Sequence, residues 1–292
     1  MKCTRPLVLY YNEKGERVSY RPGAGIDSPP QYAKYVPCGK CLACRINKRR
    51  EWTLRLCHEE VFSSSAFFVT LTYDEEHVPF DSNGNMAVSK DDVQKFMKRL
   101  RYRCGEGIRY FINSEYGELG RPHYHALIFN IPSEMMFEGA RRIFRKGSIS
   151  FTCPFLMSIW KMGNVEFGTA SKERAGYTAR YFIDRKEIDP ILVPNFSLMS
   201  RNPGIGNAYM KEITDKVLAS GVRGCLNACG TYVALPRYYR TNIYDPDTLH
   251  EKFVESLEDE DDPEYLTMLR NADLVESLQY RAMTWKGKKQ KL

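Results

Sequence analysis

The sequence predicts an α+β domain built on an antiparallel sheet, and two observations carry that prediction. Short aromatic and β-branched runs at Ala66 to Tyr73, Ile108 to Tyr116 and His123 to Asn130 read as strands. Stretches of helical period lie among them, and the two kinds do not alternate one for one as parallel βαβ units would require.

Taken in order, residues 1 to 37 are rich in Gly, Pro and Tyr and read as an irregular or short-stranded lead-in. A helix follows from about Leu42 to Val61, with Ile46, Trp52, Leu56 and Val61 on its apolar side. The strand AFFVTLTY comes next, then Pro79 to Val88, whose Asn83-Gly84 is a hairpin-turn signal. Ser89 caps a helix running up to Gly105, with Asp92 three residues on and Val93, Phe96, Met97 and Leu100 as its buried stripe. The strands Ile108 to Tyr116 and His123 to Asn130 are joined tightly through Gly117, Gly120 and Pro122.

Helical character returns at Ser133 to Arg145, where Met136, Ala140 and Phe144 are spaced for one face. Asn164 to Phe167 is a short strand and Ser171 to Lys186 a helix. Then come Phe196 to Ser200, a Pro/Gly turn at Asn202 to Gly206, a helix to about Ala219 and an extended Tyr232 to Tyr244. The expected division is a lead-in with a cysteine cluster and a basic helix (1–62), a central domain (63–245) and a peripheral, helical or partly disordered tail (246–292).

The composition, 43% hydrophobic and 27% charged, is that of a soluble globular protein. There is no apolar run near the ~20 residues of a membrane span and no apolar leader core, so the expected location is a cytoplasm. Nine scattered cysteines then argue for reduced thiols or a metal site rather than disulfides. The net charge of +7 is uneven: residues 255 to 264 hold seven acids and no base, and without those seven the chain would stand at +14. Basic stretches at Arg45 to Arg55 and Lys95 to Arg109 interleave with Trp52, Tyr102 and Tyr110, a pattern that suits nucleic acid or, equally, solvated helix faces.

The sharpest signal is Arg121-Pro122-His123-Tyr124-His125 at the start of a strand. Residues two apart on a strand share a face, so His123 and His125 present their imidazoles together while Tyr124 points away. Such a pair alone is as readily a polar rim. A hairpin through Tyr116 to Pro122 would add Glu115, and two imidazoles with one carboxylate leave coordination positions open on an ion.

Tyr177 and Tyr181 stand one turn apart on the predicted helix, among the small residues Gly176, Thr178 and Ala179 and near Arg180, Arg185 and Lys186. Paired phenols are ordinary core packing in most helices. Beside a metal site they are candidate nucleophiles, given positive potential to offset a phenol pKa near ~10.

In this order, the Phe68-to-Asp74 strand, His123-Tyr124-His125 and Tyr177-x3-Tyr181 resemble the HUH endonuclease superfamily. Glu115-Tyr116-Gly117 with Gly120-Arg121-Pro122-His123, Pro37-Cys38-Gly39-Lys40-Cys41 and Met199-Ser200-Arg201-x-Pro203-Gly204-Ile205-Gly206 narrow the likeness to rolling-circle replication initiators of gokushovirus-type Microviridae, small single-stranded DNA phages. The likeness spans roughly residues 38 to 240. It implies an RRM-like five-stranded antiparallel sheet flanked by helices, a Mg²⁺ or Mn²⁺ ion, and nicking of viral single-stranded DNA at its origin. It further implies a 5′-phosphotyrosine intermediate, a 3′-hydroxyl that primes host replication machinery, and rejoining of the ends by the second tyrosine. Tyr177 and Tyr181 match the nucleophiles, and His123, His125 and Glu115 the ligands.

The chain departs from the pattern where the family often has lysine between its tyrosines. Arg180 is a fixed fork that keeps its proton, so it suits holding phosphate better than shuttling protons. Tyr124 also replaces a usually aliphatic residue. Arg180, Lys186, Arg201, Arg121 and Thr72 are candidate DNA contacts, although Thr72 with Thr70 also satisfies strand propensity and Ser200-Arg201 can simply end a strand.

Cys38-x2-Cys41-x2-Cys44 places three thiols in one loop and the start of a helix, one short of a structural zinc site, and Cys3 can complete it if the N-terminus folds back. Free thiols beside a basic helix explain the same residues. The rival functions are a non-catalytic nucleic-acid-binding protein, with aromatics stacking bases, and a zinc-dependent hydrolase.

Overall fold

The computed structural model describes residues 2–20, 30–117, 119–145, 148–169, 191–221, 224–259 and 263–279. The chain divides into two compact units, Met1–Arg50 with Arg237–Leu292, and Glu51–Pro236. The first unit opens with a three-stranded antiparallel sheet of β1 (Leu7–Tyr11), β2 (Arg17–Val18) and β3 (Tyr32–Val36), in the order β2-β1-β3. Helix α1 (Leu42–Val61) follows and runs on into the second unit. Its apolar side ends earlier than the periodicity suggests, because Leu56 is buried whereas Val61 is 75% exposed.

The second unit is organised by a seven-stranded, wholly antiparallel sheet. Its strands are β4 (Ala66–Thr72), β5 (Arg109–Tyr116), β6 (Pro122–Phe129), β7 (Arg142–Arg145), β8 (Ser148–Thr152), β9 (Val165–Thr169) and β10 (Ser197–Met199). They lie in the order β10-β5-β6-β4-β9-β8-β7. The α+β class and the antiparallel sheet agree with the sequence, but five strands do not.

The two outer strands come from a stretch that reads as one helix. There α3 (Ser133–Phe137) is a single short turn, and Gly139, in the left-handed region at φ 67°, ends it. Beyond it Ile143, Phe144, Ile149 and Phe151 form the β7–β8 hairpin, where β-branched and aromatic residues are at home. Pro79 to Val88 is less regular than a hairpin, with one isolated bridge, Phe80 to Met86, around the Asp81–Asn85 turn.

One sheet face is the main core. Phe67, Val69 and Leu71 of β4, Tyr124, Ala126 and Ile128 of β6, and Val165 and Phe167 of β9 are buried with α2 (Lys90–Cys104) and α4 (Pro154–Trp160). Helix α2 contributes Val93, Phe96, Met97 and Leu100, the predicted stripe, and Ser89 caps it by accepting the Asp92 N–H. Arg99 donates to the Ile159 and Trp160 carbonyls at 2.8 and 3.2 Å, satisfying the open end of α4. Trp160 is fully buried, and its indole N–H donates to the Thr72 carbonyl at 2.9 Å, fixing the end of β4.

On the opposite face, Phe111 of β5 with Leu127 and Phe129 of β6 packs against Leu56 and Cys57 of α1 and Ile205. The Met199-to-Gly206 turn is held here. Arg109 pairs with Glu59 and donates to the Pro203 and Gly204 carbonyls at 2.9 and 2.8 Å; Glu59 accepts the Gly206 N–H at 2.6 Å, and Arg55 donates to the Ile205 carbonyl at 3.0 Å. Helix α5 (Asn207–Ser220) follows, then a two-stranded ribbon of β11 (Gly224–Leu226) and β12 (Tyr232–Ala234).

The chain after β12 is not extended to Tyr244 as the sequence suggests. Pro236 precedes helix α6 (Arg237–Ile243), in which Tyr239 and Ile243, four apart, are both buried. Helices α7 (Pro246–Glu255) and α8 (Pro263–Arg270) complete the first unit, where Phe253 meets Tyr11 of β1 edge to face at 5.0 Å.

Candidate metal centre

The site is assembled by strand register. Across β5, β6 and β4, Glu115 pairs with His123 and His123 with Thr72; one pleat along, Asn113 pairs with His125 and His125 with Thr70. Directly paired residues project to the same side, so Glu115, His123 and His125 share the face that α1 covers only further along, at Leu127 and Phe129.

Both imidazoles turn Nε2 toward one carboxylate oxygen, Glu115 Oε2, at 3.9 Å from His123 and 3.5 Å from His125. The donor atoms of the three residues all lie within 4.8 Å of one another, near the spacing of atoms that share one ion. The other ring nitrogens set this aim. His123 Nδ1 lies 3.4 Å from the Arg121 carbonyl, which only accepts, so in that bond Nδ1 carries the proton and Nε2 keeps its lone pair. His125 Nδ1 lies 3.2 Å from Thr70 Oγ1. Phe68 stacks on the His125 ring at 5.5 Å, 20° from parallel.

The histidine side chains are 20% and 14% exposed and Glu115 41%, so the centre is walled on the imidazole side and open on the carboxylate side. Burial, and then neighbouring His123, hold the pKa of His125 down at about 3, leaving its imidazole neutral as a ligand must be. Two neutral imidazoles and one carboxylate fit a divalent ion with open positions.

Tyr124, between the histidines, faces the core and is fully buried. Its hydroxyl accepts the Ser89 N–H at 2.8 Å and lies 2.8 Å from the Tyr73 hydroxyl, which donates to Asp92 at 2.8 Å. Burial pushes the Tyr124 phenol up to about 12. A tyrosine replaces an aliphatic residue here because the interior supplies hydrogen-bond partners, not because the position faces outward.

Behind the site, Gly163 backs the end of β4. It sits at φ 138°, and a Cβ there would fall 2.4 Å from the Thr72 carbonyl oxygen. The Asn164 carbonyl meanwhile accepts the Thr72 N–H at 3.0 Å and its hydroxyl at 3.1 Å.

Arg121 donates to Glu75 at 2.5 Å and to the Tyr73 carbonyl at 2.9 Å, tying the β5–β6 connection to the end of β4. Arg201 is exposed, and Ser200 continues the pairing of β10 with β5, exchanging hydrogen bonds with Tyr110. Cys3, Cys38, Cys41 and Cys44 come together in the first unit. Tyr177, Tyr181, Arg180 and Lys186 lie outside the described residues; the flanking strands β9 and β10 both belong to the sheet that carries the histidines. Sequence reasoning missed Thr70 as the partner of His125, since only the register of β4 on β6 reveals it.

A sheet with paired histidines and a carboxylate on adjacent strands defines a class here. Residues 66–186, which include this site, match the family model of the replication-associated protein ORF2. The chain belongs to this family of phage replication-associated proteins. It is 32% identical over 238 residues to the replication-associated protein ORF2 of Spiroplasma virus 4, covering 74% of this chain and 72% of that protein. It is 29% identical over 255 residues to the replication-associated protein VP4 of Bdellovibrio phage phiMH2K, covering 82% and 76%. These relationships uphold the resemblance to microvirus replication initiators. No solved structure matches at a significant level.

Proposed function

We propose that this chain is a rolling-circle replication initiator that nicks single-stranded viral DNA at its origin and later rejoins the ends. The observation that carries the reading is the convergence of His123 Nε2 and His125 Nε2 on one oxygen of Glu115. Such a centre holds Mg²⁺ or Mn²⁺, which when bound withdraws charge from the scissile phosphate and orients it. The chain's own residues do the rest. The phenol oxygen of Tyr177 or Tyr181 attacks phosphorus, the P–O3′ bond breaks as the new P–O bond forms, and the phenol proton leaves to solvent while the 3′-oxygen takes one up. The products are a 5′-phosphotyrosine and a 3′-hydroxyl able to prime host polymerase; the second tyrosine repeats the cut, and the hydroxyl attacks the first linkage to close the circle.

Arg180 and Lys186 follow the tyrosines in sequence and suit phosphate. Thr72 shares the histidine face and Arg201 is solvent-exposed, as backbone contacts require. Arg121 acts by holding the strand ends, its guanidinium engaged by Glu75 and Tyr73. Among the described residues no helix is long and apolar enough to cross a membrane, in keeping with work in the host cytoplasm.

The test is a denaturing gel of the full chain incubated with Mn²⁺ and labelled single-stranded oligonucleotides tiled across the viral origin. A covalent adduct that chelator prevents, and that the double variant Tyr177→Phe, Tyr181→Phe cannot form, is expected. Salt-sensitive binding without any adduct would leave a nucleic-acid-binding protein instead, and cleavage without linkage a hydrolase.

A further inference from the structure

We propose that Cys3, Cys38, Cys41 and Cys44 bind one structural zinc ion as four thiolates, in a site separate from the histidine centre. The four sulfurs lie within 4.8 Å of one another, and Cys3 Sγ stands 3.6 Å from both Cys38 Sγ and Cys41 Sγ. With Zn–S bonds of ~2.3 Å, a tetrahedral ion separates its sulfurs by about 3.8 Å, so the observed spacing is that of a mononuclear shell. It is too long for a disulfide, and all four cysteines are free thiols. It is also too short for a four-iron cube, whose ligands are held apart by the cluster itself.

The backbone is arranged for sulfur that carries negative charge. The N–H groups of Lys40 and Cys41 point to Cys38 Sγ at 3.4 and 3.3 Å, and the Cys38 N–H to Cys3 Sγ at 3.4 Å. Gly39, at φ 73°, makes the tight loop that aims these donors inward. Cys41 and Cys44 are three apart across the beginning of α1, on one face, where the helix's partial positive charge favours thiolate. A merely apolar cluster of thiols has no use for three backbone donors directed at two of its sulfurs.

Cys3, Cys41 and Cys44 are buried, which makes the site closed and structural rather than open and reactive. Its four ligands come from the residues before β1, the β3–α1 loop and the start of α1. The ion therefore joins three separate pieces of the first unit whose apolar contact here is otherwise little more than Ala43. The C-terminal segment engages the same spot, since the Tyr265 hydroxyl donates to the Cys3 carbonyl at 3.1 Å.

The experiment is metal analysis of the full chain purified under reducing conditions without chelator. One equivalent of zinc per chain is expected, retained when His123 and His125 are both replaced by alanine and lost in the Cys38→Ser, Cys41→Ser double variant. Because that variant can fail to fold, the wild-type chain is also exchanged with Co²⁺. The expected signature is a strong thiolate-to-cobalt charge-transfer band with the visible absorption of tetrahedral cobalt, unchanged by the histidine substitutions. Four freely titrating thiols with no bound metal, a disulfide among these cysteines, or iron in place of zinc would each overturn the proposal. The covalent-adduct assay with DNA is a separate readout, so the two proposals fail independently.

Discussion

Thr70 Oγ1 lies 3.2 Å from Nδ1 of His125, joining the side chain in register across β4 and β6 to the nitrogen that does not face Glu115. Thr70→Val keeps the strand shape and removes the hydroxyl. Partners of this kind are worth ~10–100-fold in metal affinity. Mn²⁺ titration by calorimetry or paramagnetic resonance should show a loss in that range with the circular dichroism unchanged; an unaltered Kd would mean that Thr70 is only a strand former.

Glu115→Gln keeps the size of the side chain and removes its charge. Since Glu115 Oε2 is the atom both imidazoles face, Mn²⁺ affinity and covalent adduct formation should fall together. Chelation of the wild-type protein should reproduce the loss of adduct. Full adduct formation by the variant would show that the carboxylate is not a ligand the chemistry needs.

Tyr124→Phe tests the back of the site. It removes the acceptor of the Ser89 N–H and the partner of the Tyr73 hydroxyl, leaving buried polar groups unmatched at a cost of about 1–3 kcal/mol. Urea denaturation should register that loss while Mn²⁺ affinity stays near wild type. The reverse pattern would assign Tyr124 to the metal side.

Arg109→Met breaks the buried pair with Glu59 and frees the Pro203 and Gly204 carbonyls. An uncompensated buried carboxylate costs roughly 3–5 kcal/mol. A thermal melt that hardly moves would show the turn to be held by other contacts.

His58 gives the second unit a pH dependence. It is buried, stacked on Tyr209 at 3.6 Å, with its Nε2 2.8 Å from the Leu226 carbonyl, and burial lowers its pKa below the ordinary 6.5. A histidine held neutral by the fold binds its proton more readily when unfolded. Its contribution is therefore complete above 6.5 and is lost as pH falls below that value. Unfolding free energies measured at pH 7.5 and 5.5 should differ less in His58→Phe than in wild type; equal slopes would exclude this residue as the source.

The parts of the site that were legible in the sequence are those fixed by local period. His123 and His125 share a face because strand side chains alternate, and the Gly-Pro connection announced the hairpin that brings Glu115 beside them. Thr70 was not legible, because its role depends on how two strands far apart in sequence slide against each other. The β7–β8 hairpin was hidden by Met136, Ala140 and Phe144, whose spacing imitates a helix although Gly139 interrupts it. Helix α6 was hidden by adjacent aromatics, Tyr238 and Tyr239, which look like strand until burial shows only the second to be fully inside. Cys3 could be offered as a fourth thiol from counting, but only the folded first unit brings it to the other three.

Because Tyr124 is locked into the interior between two histidines that look outward, strand β6 has a single workable alignment. A one-residue slip would turn both imidazoles into hydrocarbon and expel the phenol to water. The interior thus proofreads the ligand set: any chain that has closed its core has, by the same step, put its donor atoms on the correct side.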